Sequence, residues 1–445
     1  MSYMNDLELK KSREFFLSHK KNFSKFEIDL ENLYSTYPNR SKIKVLLDYW
    51  IFNILLLKKI YGSKGLVDFC NSDINNPQRF SFLYEIDNSN KIYEIKFKKN
   101  NSKYFYALKI FHKKIFIPGA YLDNLFKKFL NLASLKFILS IPTKVDVEIA
   151  NGLKQILNNI FEDKFDKSEI KVIFKKIPKV FISSKITVPY NIINVSGSSA
   201  SFLEYDGFEN IFLFNSNLYI EGFQHGGGYD IFKVDYFADY EKNLCDKFFG
   251  WGFSDNNIKQ TKFKRITKKT QDNIRRVLWI EDSKVPLFYF YSMPYHHLQS
   301  INYESKRYIH KELNLNQTEY TSMFHPSSNS NLYKNFRKNS FNIPSGRQSE
   351  KNFYANDILV FDNSGSTLIH FAIESHMIFF NIISRFDYKN FTDLQKEFFL
   401  IQRKYDFGIF NDEDNKLSNS ISKIKMNSNY SLPRELINFY ERNFK

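Results

Sequence analysis

The sequence predicts an α/β protein of two domains, and three observations predict it. Short apolar runs, Val277-Leu278-Trp279-Ile280 and Ile358-Leu359-Val360-Phe361 among them, recur without alternation, as strands buried on both faces of a parallel sheet do. Next to them lie segments with apolar residues at helical spacing, such as Leu368, Phe371 and Ala372. The third observation is length. A chain of 445 residues, 43% of them hydrophobic, is long enough for two cores.

Taken in order, residues 1 to about 65 read as helical, polar at first and then amphipathic around LLDYWIFNILLLKKIYG. A hairpin is expected next, with KIYEIKFKK and KYFYALKIF flanking the turn residues Asn100, Asn101 and Ser102. Helical patterns dominate residues 121–161. Beyond Lys171 the period changes, and VIFKKI, NIINVSG, NIFLFNSN and LYIEGF read as short strands. A second strand–helix series begins near Lys247 with KFFGWGF and runs through VLWIED, LFYFYS, YTSMFHP and residues 357–382. LPRELINFYERNF reads as a terminal helix following Pro433. The expected division is residues 1–245, 246–430 and a terminal helix over 431–445. A polar segment, 254–273, is the expected hinge. Residues 327–356, rich in Ser, Asn, Arg and Lys, read as a mobile loop.

The net charge is +16, which suits a polyanionic substrate, nucleic acid or an anionic membrane face. The basic residues are scattered, and no zinc-finger, helix-turn-helix or RNP-type motif accompanies them, so nucleic acid is not the expected partner. Two cysteines, Cys70 and Cys245, build no disulfide framework and fit a reducing compartment. The first residues, MSYMNDLELKKSREFF, are too polar for a signal peptide. The most apolar stretch, 45–57, is broken by Asp48 and Asn53 and is too short to span a bilayer. A cytoplasmic protein is expected, with peripheral contact at the inner membrane face open to it.

The stretch around which the chain is organised is DILVFDNSGSTLIHFAIESHMIFFNI, residues 357–382. A buried strand ends, Asn363, Ser364, Gly365 and Ser366 supply turn and N-cap chemistry, and a helix begins. The first N–H groups of such a helix favour an anion. An ordinary βα turn with a serine cap has the same sequence, and for one turn alone it is the commoner outcome. A second signal is Gln224-His225-Gly226-Gly227-Gly228-Tyr229. Three glycines after a strand let backbone approach a ligand closely, and His225 just ahead of them is placed as a base or phosphate donor. A third is Phe324-His325-Pro326, where the proline holds His325 extended. Acidic residues Asp235, Asp239, Glu241 and Asp246 follow the glycines on a segment read as helix, and one of them is a second candidate base. Asp412-Glu413-Asp414 reads as a solvated loop, and no metal site or cofactor is expected.

Together these residues resemble a known group. QHGGGY, an acidic helix and then Asp246-Lys247-Phe248-Phe249-Gly250-Trp251-Gly252-Phe253 are similar to a family of bacterial transferases of surface carbohydrate synthesis. FHP followed by VFDNSGST and an apolar strand is similar to CDP-glycerol glycerophosphotransferases and to bacterial sialyl- and Kdo-transferases. The resemblance covers roughly residues 180 to 385. Asp230 stands where the family has Gly, and Tyr240 precedes Glu241 where His is expected. The resemblance implies a metal-independent GT-B glycosyltransferase, two Rossmann-like domains facing a central cleft. It implies that His325, Pro326, Ser364, Gly365, Ser366 and Thr367 bind the donor nucleotide. Gln224, Gly226, Gly227, Gly228 and Tyr229 would form the acceptor-side loop, with His225 or Glu241 as the catalytic base. The implied partners are a nucleotide-activated sugar, a CMP-activated nonulosonic acid or Kdo-like sugar first, and a glycan or lipid-linked acceptor. A CDP-polyol phosphotransferase and a non-catalytic nucleotide- or carbohydrate-binding protein are the alternatives.

Overall fold

The computed structural model describes residues 14–72, 84–86, 92–94, 108–111, 114–116, 135–136, 145–183, 194–198, 219–224, 229, 231–233, 236–250, 275–281, 295–315, 318–324, 341–342, 353–427 and 430–444. Two six-stranded sheets organise it, each with its own hydrophobic core. The α/β class is as expected.

The second sheet is the more regular. Its strands are β9 (Val277–Glu281), β10 (Tyr320–Phe324), β11 (Phe341–Asn342), β12 (Ile358–Phe361), β13 (Ile378–Ile383) and β14 (Gly408–Phe410). The spatial order is β11-β10-β9-β12-β13-β14, and every pair is parallel. Counted within the sheet that is 3-2-1-4-5-6, the order of a doubly wound sheet, which reverses direction between β9 and β12. β9, β12 and β13 are buried at every position, which is why their apolar residues run on without alternation. The helix Arg434–Phe444 packs Leu436, Phe439, Tyr440 and Phe444 into this same core. The expected terminal helix therefore belongs to the second unit.

The first sheet is mixed. Its strands are β3 (Leu108–Phe111), β4 (Lys114–Phe116), β5 (Leu135–Lys136), β6 (Asn194–Ser198), β7 (Tyr219–Phe223) and β8 (Lys247–Phe249), in the order β5-β3-β4-β6-β7-β8. β3 runs antiparallel to both neighbours, and β4, β6, β7 and β8 are parallel. Because β8 extends the β7 ladder, the first sheet continues past the expected division after residue 245.

Against this sheet lies a helical unit. The helix Arg40–Asn71 buries Leu46, Leu47, Tyr49, Trp50, Ile51, Phe52, Ile54 and Leu57, a helix enclosed on all sides. It kinks at Gly62, whose φ of 66° is one that glycine adopts without strain. Helices over 14–24, Glu27–Leu33, Val147–Phe161 and Lys167–Phe174 surround it and share its core. Among the described residues no helix is long and apolar enough to cross a membrane.

Three local expectations are corrected. KIYEIKFKK and KYFYALKIF do not pair as a hairpin among the described residues. Instead β2 (Ile92–Glu94) pairs back with β1 (Tyr84–Ile86), and β3 turns forward to β4 through two residues. Alternation identifies strands but not their partners. VIFKKI is not a strand either; its first residues end the helix Lys167–Phe174. Asp166 accepts from Glu169 N–H and the Glu169 carboxylate accepts from Asp166 N–H, a reciprocal cap that outweighs the β-leaning Val172-Ile173-Phe174. Within residues 121–161, Leu135–Lys136 is a strand, and Val147–Phe161 is the helix expected. The expected hinge at 254–273, and most of 327–356, lie outside the described residues, although 341–342 form the edge strand β11.

The two units meet at a small apolar joint. Phe232 and Phe391 form an antiparallel bridge, flanked by hydrogen bonds from Lys233 N–H to Asn390 O (2.8 Å) and from Thr392 N–H to Ile231 O (2.9 Å). Ile231, Ile383, Phe391, Phe399 and Phe410 bury one another there.

Candidate functional site

In a doubly wound sheet the crevice opens at the carboxyl ends of the strands where the order reverses. Here those ends are Glu281 of β9 and residues 362–366 after β12. The turn is ordered by its own side chains. Gly365 N–H donates to Asn363 Oδ1 (2.7 Å), closing an Asx turn. Ser366 is the N-cap of the helix Thr367–Glu374, its hydroxyl accepting from Leu368 N–H at 3.3 Å. That oxygen is engaged, yet the hydroxyl hydrogen can still donate outward. Ser364 shares hydrogen bonds with Asn381, a fully buried residue of β13, at 3.2 and 3.3 Å. The turn expected from the sequence is present, and Ser364, Gly365, Ser366 and Thr367 lie together on it.

Beneath the turn is a charge cluster that sequence reading missed. Lys306, on the helix Tyr295–Leu315 that lies between β9 and β10 in the chain, places its ammonium 2.5 Å from Asp362 Oδ2 and 3.7 Å from Glu281 Oε2. Trp279 Nε1–H also donates to Asp362 (3.3 Å). All three charged residues are at most 5% exposed, so the ammonium compensates carboxylates that water cannot. The signal was a Lys in the middle of a helix and an Asp closing a buried strand, neither distinctive alone.

At the other end of β12, Asp357 takes a two-pronged bond from Arg276 (2.9 and 2.7 Å) and one from Tyr354 N–H. Burial raises its carboxyl above the usual range in spite of that guanidinium. It anchors the strand and faces away from the crevice end.

In the first sheet the glycine segment follows β7. Gln224 is buried, and its N–H continues the ladder to Phe249 O (2.9 Å). Tyr229, at the far end of the segment, is buried against Phe248 and donates its hydroxyl to Glu241 Oε2. Glu241 lies on the helix Tyr236–Leu244 with no surface exposure. Its carboxylate holds Tyr229, and through it the far end of the glycine segment. Tyr240, beside it, packs edge-on to Phe16 and against Tyr49 and Phe52, with the Lys20 ammonium 4.1 Å from its ring centre. Lys20 also pairs with Asp48, which accepts from His19 at 2.6 Å. Burial alone would raise the Asp48 carboxyl, but His19 and Lys20 hold it below the usual range. Asp246 pairs with Lys42 and accepts from Ile220 N–H (2.7 Å), so it fastens β7 to the long helix. Burial, with Glu241 and Asp246 nearby, pushes the Cys245 thiol well up.

His225, Gly226, Gly227, Gly228, His325 and Pro326 lie outside the described residues, as do Asp230 and Asp235. Asp412, Glu413 and Asp414 each pair with a different cation, Arg385, Arg403 and Lys311. Among the described residues no group of three or more His, Cys, Asp or Glu is placed to hold a metal ion.

No curated protein and no solved structure matches the chain. A family model, LIC12162 family transferase, matches residues 8–341. The match reaches well into the first 170 residues, which the sequence resemblance left unassigned, and it stops short of the turn at 362–366. The helical unit, the first sheet with its glycine segment, and β9 and β10 thus all fall within a match that covers most of the chain and ends at the first residue of β11, and this protein belongs to the LIC12162 family of transferases.

Proposed function

We propose that this transferase is a glycosyltransferase of cell-surface carbohydrate synthesis, using a nucleotide-activated sugar, with a CMP-activated acidic sugar as the first candidate. The two sheets are read as the two halves of a GT-B architecture, with donor on the second and acceptor on the first. One observation carries the reading: the turn of residues 362–366 leaves β12 beside the reversal of strand order and enters a helix. Ser364, Ser366 and Thr367, with His325 and Pro326, are assigned to the donor phosphate. Lys306 supports this assignment, because it neutralises Asp362 and so reduces that residue's opposition to an anion at the turn.

In the proposed step the acceptor hydroxyl oxygen bonds to the anomeric carbon. The bond from that carbon to the nucleotide phosphate oxygen breaks, and the nucleotide leaves with the electron pair. His225 takes the hydroxyl proton. Glu241 is assigned the lesser part of holding Tyr229, and through it the glycine segment. Helix N–H groups and His325 stabilise the leaving phosphate, with no divalent metal required.

A thermal-shift comparison of CMP, CDP, UDP and GDP tests the reading. A ligand at about a hundred times its dissociation constant adds about 2.7 kcal/mol. CMP or CDP is expected to stabilise most. A clear preference for UDP or GDP overturns the choice of donor, and silence from all four overturns the donor site.

A further inference from the structure

We propose that Lys233 and Lys396 form a phosphate-binding site spanning the joint between the two units, a site that does not depend on the assignment of the 362–366 turn. The backbone sets the two side chains against each other. Lys233 directly follows Phe232, which bridges Phe391, and its N–H is fixed to Asn390 O. Lys396 closes the first turn of the helix Asp393–Lys404, its N–H donating to Thr392 O at 2.9 Å, while Thr392 N–H is held by Ile231 O. One lysine thus comes from each unit, and their side-chain nitrogens lie within hydrogen-bonding reach of each other. Lys233 is exposed and Lys396 partly buried, its ammonium 6.0 Å from the Tyr388 ring centre. The joint packs on Ile383 and Phe410, the last residues of β13 and β14. The pair therefore stands at the carboxyl ends of the second sheet, the side on which doubly wound sheets bind ligands.

Two ammoniums side by side repel, and an ammonium early in a helix also opposes the helix dipole. Asp393, three positions before Lys396, sets one carboxylate against two cations. Loss of surrounding water and the Lys233 charge hold Lys396 below the usual lysine range in spite of Asp393. Such a pair costs the fold stability, and a bound dianion removes the cost. A phosphate group suits it, because its charge of about −2 balances both lysines, which meet it as point charges. With one cation from each unit, the bound phosphate also holds the joint together. A nucleotide and a phosphorylated acceptor both carry such a group.

Titration calorimetry with inorganic phosphate, on full-length protein at an ionic strength held constant with sodium chloride, tests the site. Lys233→Met and Lys396→Met should each weaken phosphate binding about tenfold or more, the worth of one charge-assisted bond. Melted without phosphate, the same variants should be as stable as wild type or more so, because the repulsion is relieved. That separates a binding pair from a structural one. Phosphate sitting on the 362–366 turn would be untouched by either substitution. CMP that displaces phosphate from the lysine-dependent site would support the proposal and assign the site to the nucleotide. Phosphate binding that ignores CMP yet is lost with either lysine would support it and assign the site to a phosphorylated acceptor. Wild type that binds phosphate no better than chloride would overturn the proposal, as would unchanged phosphate affinity in either variant. Lower stability of both variants without phosphate would overturn it too, by making the lysines part of the joint. CMP binding by wild type alongside any of these three results would overturn this inference and leave the donor reading standing.

Discussion

The two sheets solve the same problem with different means. In the second, β9, β12 and β13 are short runs buried at every position, every neighbouring pair is parallel, and charged groups gather at the strand ends: Lys306 with Asp362 and Glu281, and Arg276 with Asp357. In the first, the sheet is mixed, and the helix and strand that follow its glycine segment are held by residues far away in sequence. Lys42 reaches Asp246 across 204 positions, and Lys20 of the first helix lies on Tyr240. Both halves are closed by contacts between residues distant in sequence; the first differs in routing them through an added helical unit, whereas the second closes on its own sheet and helices. A change in the helical unit should therefore reach the first sheet, and a change in the second half should be felt within it.

The largest expected effect is at Lys306. Lys306→Met leaves two carboxylates buried with no ammonium between them and should cost about 3–5 kcal/mol in denaturant unfolding. Lys42→Met, which breaks the partly exposed pair with Asp246 in the first half, should cost only about 1–2 kcal/mol. Equal losses would mean that the buried cluster relaxes or takes up protons, and would remove the contrast.

Acid titration sets two groups of the second half against each other. Burial against Tyr440 and Phe444 lowers His370 to about 4, and burial raises Asp387 to about 6 despite bonds from Ser384. The histidine binds its proton less readily in the folded state, so its contribution is lost as pH falls from about 6.5 towards 4. The aspartate binds its proton more readily when folded, so its contribution is lost as pH rises from about 4 to 6. Over pH 4 to 6 the two oppose each other, and wild-type stability should be nearly flat. Asp387→Asn should unmask a decline on acidification of roughly 2–3 kcal/mol, and His370→Leu the opposite slope. A wild-type slope unchanged by both substitutions would refute the pairing.

In the first half the sensitive contact is the tyrosine. Tyr229→Phe takes one donor from a fully buried carboxylate and should cost about 2 kcal/mol. It should also lower turnover about tenfold or more by loosening the segment that carries His225. Nucleotide binding, which the proposed function puts on the other sheet, should not change. A variant with full turnover would reduce Glu241 and Tyr229 to packing.

These differences decide what was legible in the sequence. β9, β12, β13 and the helix Thr367–Glu374 could be read directly, because continuous apolar runs and a serine cap are local signals. The turn at 362–366 followed from them. The hairpin misreading at 91–111 and the strand misread at 172–177 had the opposite cause. Strand partners and helix caps depend on what lies outside the window. Glu241 was picked out as acidic, but its enclosure under the helical unit and its bond to Tyr229 depend on residues far outside the window. Lys306 and Asn381 were invisible for the same reason: each is one unremarkable residue until the sheet brings Asp362 or Ser364 beside it.

The smallest effect on stability, and the sharpest on function, is expected at Ser366. As the N-cap of the helix Thr367–Glu374 it accepts from Leu368 N–H, so Ser366→Ala should cost about 1 kcal/mol whether or not any ligand binds there. Loss of nucleotide affinity in that variant would thus mix two causes. Ser366→Asp separates them. Aspartate caps a helix as well as serine does and suits the positive end of the helix dipole, so stability should stay within about 0.5 kcal/mol of wild type. Its carboxylate would also occupy the place of the donor phosphate, and like charges there should weaken CMP and CDP binding about a hundredfold. A stable Ser366→Asp protein that binds nucleotide as wild type does would show that no anion sits on this turn. The serine would then be a cap and nothing more, and the donor would have to be sought elsewhere along the strand ends.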